Sequence, residues 1–157
     1  MNIVWKYFIV LIVSMVPLVE LRGAIPIAVG LELPKLISFI VAIVGNMLPV
    51  PIIYLFARKV LEWGKDKKYI GKFFTWCLIK GEKGGRKLQA TAGKGLYWAL
   101  FVFVAIPLPG TGAWTGTLAA SILDLDFKKT TLAVMAGVLV AGAIMMAISF
   151  GLFEVIF

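Results

Sequence analysis

From Leu36 to Ala57 the chain runs 22 residues without a charged side chain. As a helix this segment measures about 33 Å, enough to cross the hydrocarbon core of a bilayer. Thr130–Phe157 meets the same condition, with Glu154 as its one charge, near the end. The set AVILMFWYC makes up 61% of the 157 residues, charged residues 15%, and mean hydropathy is +0.99. A soluble domain of this size is about half apolar and about a quarter charged. Eleven Phe and five Trp cannot be hidden in so small a globule without large exposed patches. A soluble domain is thereby excluded, and the chain reads as an all-α integral membrane protein.

Two further apolar stretches are broken. Ile3–Gly30 is interrupted by Pro17, by Glu20, Arg22 and Gly23, and by Pro26. Leu96–Leu123 is interrupted by Pro107, Pro109, Gly110, Gly112 and Gly116. Proline removes a backbone donor and glycine loosens the helix around it. The arms on either side, Ile3–Val16, Ala24–Glu32, Leu96–Ile106 and Ala113–Leu123, then reach only about 14 to 21 Å. Two half-length arms around a breaker predict a re-entrant helical hairpin with its turn near the midplane; a kinked full span is the competing reading.

The broken stretches resemble each other. Val16-Pro17-Leu18 matches Ile106-Pro107-Leu108 at an offset of 90, which also sets Gly23 against Ala113, Ala28 against Leu118 and Gly30 against Ala120. Gly45 matches Gly137 after a slip of two. The expected fold is therefore two inverted repeats within a single membrane domain, each a re-entrant hairpin followed by a transmembrane helix. Repeat one is 1–57, repeat two is 96–157, and 58–95 is the linker. Internal inversion of this kind is common in secondary transporters.

Charge sets the expected topology. Of 16 basic residues, 11 lie between Arg58 and Lys94 with only three acids, while the rest of the chain is neutral. Excess Lys and Arg between apolar spans marks a cytoplasmic loop, and this excludes nucleic acid as the partner behind the net charge of +8. Lys128-Lys129 agrees, leaving Glu32, Lys35 and both termini outside. Asp124 and Asp126 beside these lysines form a solvated rim. Within the linker, Tyr69–Ile79 reads as an amphipathic helix lying on the inner leaflet. Gly81–Lys87 reads as a mobile turn, lacking the spacing of a phosphate-binding loop.

One cysteine, Cys77, and no histidine leave no zinc set, catalytic triad or Cys-His pair, so neither an enzyme, a metal site nor a cofactor is expected. The polar chemistry sits at the two breaks. Glu20 and Arg22 are costly inside an apolar stretch and such residues mark sites or pathways. Two apart, they would share no helix face, so a turn is predicted there. Glu20 is the candidate proton-coupling residue, since no histidine can serve. Arg22, Gly23, Gly110, Thr111, Gly112 and Thr115 are the candidate substrate-binding residues. They combine a guanidinium, hydroxyls and the free amides of helix N-termini near Gly23 and Ala113, which attract anions. The competing readings are an ion pair that only holds the tip, and small residues that only permit close packing.

Glu20-Leu21-Arg22-Gly23-Ala24-Ile25-Pro26 with Pro107-Leu108-Pro109-Gly110-Thr111-Gly112 resembles the small multidrug export proteins of prokaryotes. That family is similar to the DedA / SNARE-associated Golgi protein superfamily, with its paired re-entrant hairpins. The resemblance implies a multi-pass protein of the prokaryotic cell membrane that translocates a polyprenyl-phosphate-like anionic lipid with proton coupling. The expected partners are membrane lipids, an anionic lipid phosphate or other small-molecule substrate, and a proton or other coupling ion, with homodimer formation left open. Export of cationic compounds against protons and a non-transporting scaffold or assembly factor are the alternatives. Unlike the DedA relatives, this chain carries no arginine in its second hairpin.

Overall fold

A computed structural model describes residues 1–92, 95–123 and 125–156. Lys94 of the linker, Asp124 of the rim and Phe157 of the last apolar stretch lie outside the described residues. Every element among those described is helical: α1 (Ile3–Met15), α2 (Glu20–Gly30), α3 (Lys35–Met47), α4 (Pro49–Ile52), a π-turn (Ile53–Ala57), α5 (Arg58–Gly64), α6 (Gly71–Ala92), α7 (Leu96–Ala105), α8 (Ala113–Ile122) and α9 (Phe127–Ile156).

Two of these runs are long and apolar enough to cross a membrane, Lys35–Phe56 and Phe127–Ile156. The first passes through α3, α4 and the π-turn. Pro49 and Pro51 remove two amides from its ladder, and the wider turn that follows takes up the mismatch. Helices α1, α2, α7 and α8, with 10 to 13 residues each, reach only about 15 to 20 Å and cannot cross. Pro17 and Pro107 fall two residues beyond the ends of α1 and α7. Large side chains such as Leu36, Ile40, Leu132 and Ile148 point outward, whereas Ala24, Ala28, Ala42, Ala113, Ala119 and Ala120 fill the interior. Small residues inside and bulky aliphatics outside are the packing expected in lipid, where close backbone approach replaces the hydrophobic drive.

The two halves share one burial register. In α2, residues 20, 21, 24, 25, 28 and 29 are buried; so are 112, 113, 116, 117, 120 and 121, each 92 further on. Positions 38, 42, 45, 46, 49 and 50 correspond in the same way to 130, 134, 137, 138, 141 and 142. The helix ends agree as well: Leu33 N–H donates to the Ala28 carbonyl and Leu125 N–H to that of Ala120, both at 3.1 and 3.0 Å respectively. The first arms keep the offset of 90, with Val10 and Ser14 buried opposite Leu100 and Val104. The slip of two therefore falls between the arms, before α2 and α8, and replaces the alignment of Gly23 with Ala113. Its origin is a longer second connection, 106–112 against 16–19.

Packing follows the same scheme. Helix α1 lies on α3 as α7 lies on α9; α2 reaches across to α9, and α8 reaches across to α4 and the π-turn. At one end of the molecule Lys6 Nζ donates to the Leu31 carbonyl at 2.9 Å and Lys35 pairs with Glu154 at 3.2 Å. At the other, Tyr54 O–H donates to the Leu125 carbonyl, Asp126 N–H to Tyr97 Oη at 3.0 Å, and Lys129 sits over the Tyr97 ring.

Two expectations are corrected. Helix α2 starts at Glu20, not Ala24, so Glu20 and Arg22 belong to its first turn. Gly81–Lys87 is part of α6, which runs unbroken through it. There Glu82 and Arg86 stand one turn apart at 3.9 Å, a spacing that supports a helix.

Candidate functional site

Directly after the connection 16–19, Glu20 and Arg22 in the first turn of α2 close on the connection 106–112 and on the first turn of α8. Helix α7 stops before Pro107, and Pro109 prevents its resumption. Thr111 Oγ1 lies 2.7 Å from the Ile106 carbonyl and 2.8 Å from that of Leu108, tying the loop to itself. Gly110 takes φ +83°, a conformation free of cost only for glycine. Gly112 then starts α8 with no side-chain cap of its own.

The missing cap comes from the other half. Glu20, 3% exposed, spreads its carboxylate over the first turn of α8: Ala113 N–H donates to Oε2 at 3.2 Å and Trp114 N–H to Oε1 at 2.9 Å. A carboxylate here meets the positive end of the helix dipole and satisfies two amides that have no partner within the helix. A Cβ on residue 112 would stand 2.0 Å from Oε2 and 2.4 Å from Cδ. Glycine is thus required at 112 for the carboxylate to seat.

Arg22 turns to the same loop. Its Nη2 donates to the Ile106 carbonyl and to Thr111 Oγ1, each at 3.2 Å. Among the described residues no hydrogen bond engages Nη1 or Nε. In return, Trp114 Nε1 donates to the Met15 carbonyl at 3.1 Å. An early residue of each second arm therefore holds the end of the other half's first arm. Residues 20 and 112, equivalent in burial register, are in contact with each other.

The structure brings together Glu20, Arg22, Thr111 and Gly112 of the predicted set. At Gly23 a Cβ would collide with the Val19 side chain one turn earlier, while Val13 of α1 is only in ordinary contact at 3.9 Å, so this glycine makes room within its own turn and stands apart from the cluster. Gly110 is exposed with open space around it. Thr115 is half-buried and makes no hydrogen bond to the cluster among the described residues. Glu20 and Arg22 flank the second loop instead of pairing with each other. Trp114 and the carbonyls of Met15 and Ile106 are the members that the sequence did not single out as the site. The helix start near Ala113 was expected to offer free amides, but nothing in the residue types says that Glu20 is what takes them. No three of His, Cys, Asp or Glu gather among the described residues.

The sequence pattern of a family described as "Putative small multi-drug export protein" matches residues 20–144. The chain belongs to this family. No curated protein and no solved structure matches it. The small multi-drug export pattern starts at Glu20, takes in α2, the connection 106–112 and α8, and ends within α9, so of the groups hydrogen-bonded in the cluster only the Met15 carbonyl lies outside the matched segment. Family and the two long apolar helices together make this a membrane protein.

Proposed function

We propose that this small multi-drug export protein is a secondary transporter with an anion seat between two re-entrant hairpins. The hairpins dip from opposite leaflets, as inverted repeats of the kind found in the DedA / SNARE-associated Golgi protein superfamily. The basic segment 58–95 lies in the cytoplasm by its charge, with Lys6, Glu32, Lys35 and Glu154 on the other side. The observation that carries the reading is the buried Glu20 carboxylate on the α8 amides, beside a guanidinium with donors to spare.

The seat already holds an anion, and that anion is a side chain. Protonation turns the carboxylate into a neutral acid and weakens its hold on the α8 dipole. The amides of Ala113 and Trp114 are then available, with the remaining donors of Arg22, to a phosphate, whose geometry suits a planar guanidinium. Substrate and Glu20 carboxylate thus alternate at one helix end, which couples the proton to the anion. A polyprenyl-phosphate-like lipid fits an arrangement with an anion seat inside and apolar walls outside.

The reading is tested in proteoliposomes that compare flux of a polyprenyl phosphate with flux of a cationic dye. Arg22→Ala should lower lipid-phosphate flux by at least about tenfold, the worth of one charge-assisted hydrogen bond. Undiminished flux would remove Arg22 from the site. Export of a cationic drug is the second reading, favoured by a buried acid next to Trp114; dye transport that survives Arg22→Ala and fails in Glu20→Gln would select it. A scaffold without transport would be left if both variants supported the cell as the parent does.

A further inference from the structure

The linker carries a second polar feature, at the corner where α5 turns into α6. Gly64 packs so closely on α6 that a Cβ there would stand 1.9 Å from the Phe74 ring, and one on Gly71 would stand 2.5 Å from the Lys65 carbonyl. These two contacts close the corner into an open cleft of about 420 Å³, lined by Lys65, Lys67, Lys68, Lys72, Thr75 and Trp76 among others. Asp66 is the single acid in its wall, so the cleft is strongly cationic. Around it stand exposed aromatic rings: Trp63, Tyr69, Phe73 and Trp76. Lys67 Nζ lies 4.5 Å from the centre of the Trp63 ring and Lys68 Nζ 5.9 Å from that of Tyr69.

Four exposed lysines around one cleft with a single acid among them attract an anion, and four exposed rings are costly in water. Both are met at a membrane surface, where rings sit among the headgroups and lysines meet phosphates. We propose that the α5–α6 corner is a binding site for the phosphate headgroup of one anionic phospholipid, with the surrounding rings in the acyl boundary. Lys68 and Lys72 hold the phosphodiester and Thr75 adds a hydroxyl. The site shares no residue with the Glu20–Arg22 cluster and stands whether or not that cluster transports.

The test is native mass spectrometry of the full chain from mixed phosphatidylglycerol and phosphatidylcholine vesicles, with lipid affinity measured by titration. The expected result is one retained phosphatidylglycerol, its affinity at least about tenfold lower in the Lys68→Gln/Lys72→Gln double variant. A Lys83→Gln/Arg86→Gln variant loses the same charge further along α6 and should change it less than about twofold. Equal losses in both variants would reduce the effect to general attraction and overturn the site. So would retention of phosphatidylcholine alone, or full displacement of the lipid by inorganic phosphate, which would make the occupant a free anion. All of the substituted side chains are exposed, so unchanged helicity by circular dichroism is expected for both variants.

Discussion

The connection 16–19 is short and leads straight into Glu20 and Arg22, and it forces Leu18 and Glu20 to positive φ of 69° and 52°. The connection 106–112 is longer and uncharged, and meets the same need with Gly110 at +83°. Equivalent places in two similarly packed halves have thus taken opposite roles. One supplies an anion and a cation; the other supplies bare amides, a hydroxyl and a glycine that leaves room. Glu20 and Gly112 show the division best, because they share a register and touch. A repeat with Glu at both positions would set two carboxylates against each other, and one with Gly at both would leave both helix ends uncapped.

The sharpest way to break this comparison is to remove the shared contact. Glu20→Ala strips the acceptor from two amides at the start of α8 and should cost about 3 kcal/mol, the scale for orphaning buried donors of a charge-assisted bond. Gly112→Ala pushes a methyl onto the carboxylate and should cost about 2 kcal/mol. Because both act through one contact, the double variant should lose clearly less than the sum, by about 1 kcal/mol or more. Chemical denaturation in detergent, followed by circular dichroism, measures all three. Additive losses would mean that Glu20 does not seat against Gly112.

Next in size is the helix crossing that each half repeats. Gly45 lets α3 approach α1 so closely that a Cβ would stand 1.9 Å from Ser14 Oγ and 2.6 Å from the Leu11 carbonyl. Gly137 does the same for α9 on α7, with 2.7 Å to Val104 Cβ and 2.9 Å to the Phe101 carbonyl. In both cases backbone is in the way, so the helices must part. Gly45→Ala and Gly137→Ala should each destabilise by about 2 kcal/mol in the same measurement. A large loss in one and none in the other would show that the halves do not pack alike.

The crossing was half legible in the sequence, for Gly45 and Gly137 already match as a pair. So were the two long apolar runs and the four short arms, because Pro17 and Pro107 fall just past helix ends, although Pro26 sits inside α2 without ending it. The start of α2 was not legible. Glu20 and Arg22 appear unfit for a helix in lipid until their partners, some 90 residues away, are known. The breaks at Gly110 and Gly112 predict free amides near Ala113, but amides and carbonyls are carried by every residue, so nothing pairs them with Glu20 and Arg22. Nor was the helix through Gly81–Lys87, where local glycine content argues for a turn and the continuity of α6 prevails. The register slip lies before α2 and α8, whereas in sequence a gap in a loop shows only at the next matching pair, Gly45 and Gly137.

The smallest effect concerns the strain itself. Leu18 and Gly110 stand in the corresponding connections of the two halves, and both have positive φ, which costs a leucine about 1 kcal/mol or more and a glycine nothing. Leu18 is largely exposed, so its side chain contributes little to the interior. Leu18→Gly relieves the strain but gives the unfolded chain extra freedom, which returns about half of the gain. The net expectation is a stabilisation below about 1 kcal/mol, seen as a rise of about a degree or two in Tm. Gly110→Ala imposes the strain where none existed, with open space around the new methyl, and should destabilise by about 1 kcal/mol. Opposite signs in the two connections would tie the difference between the tips to backbone conformation alone. If Leu18→Gly instead lowers both Tm and lipid-phosphate flux, the strained turn is holding Glu20 in place and belongs to the site it leads into.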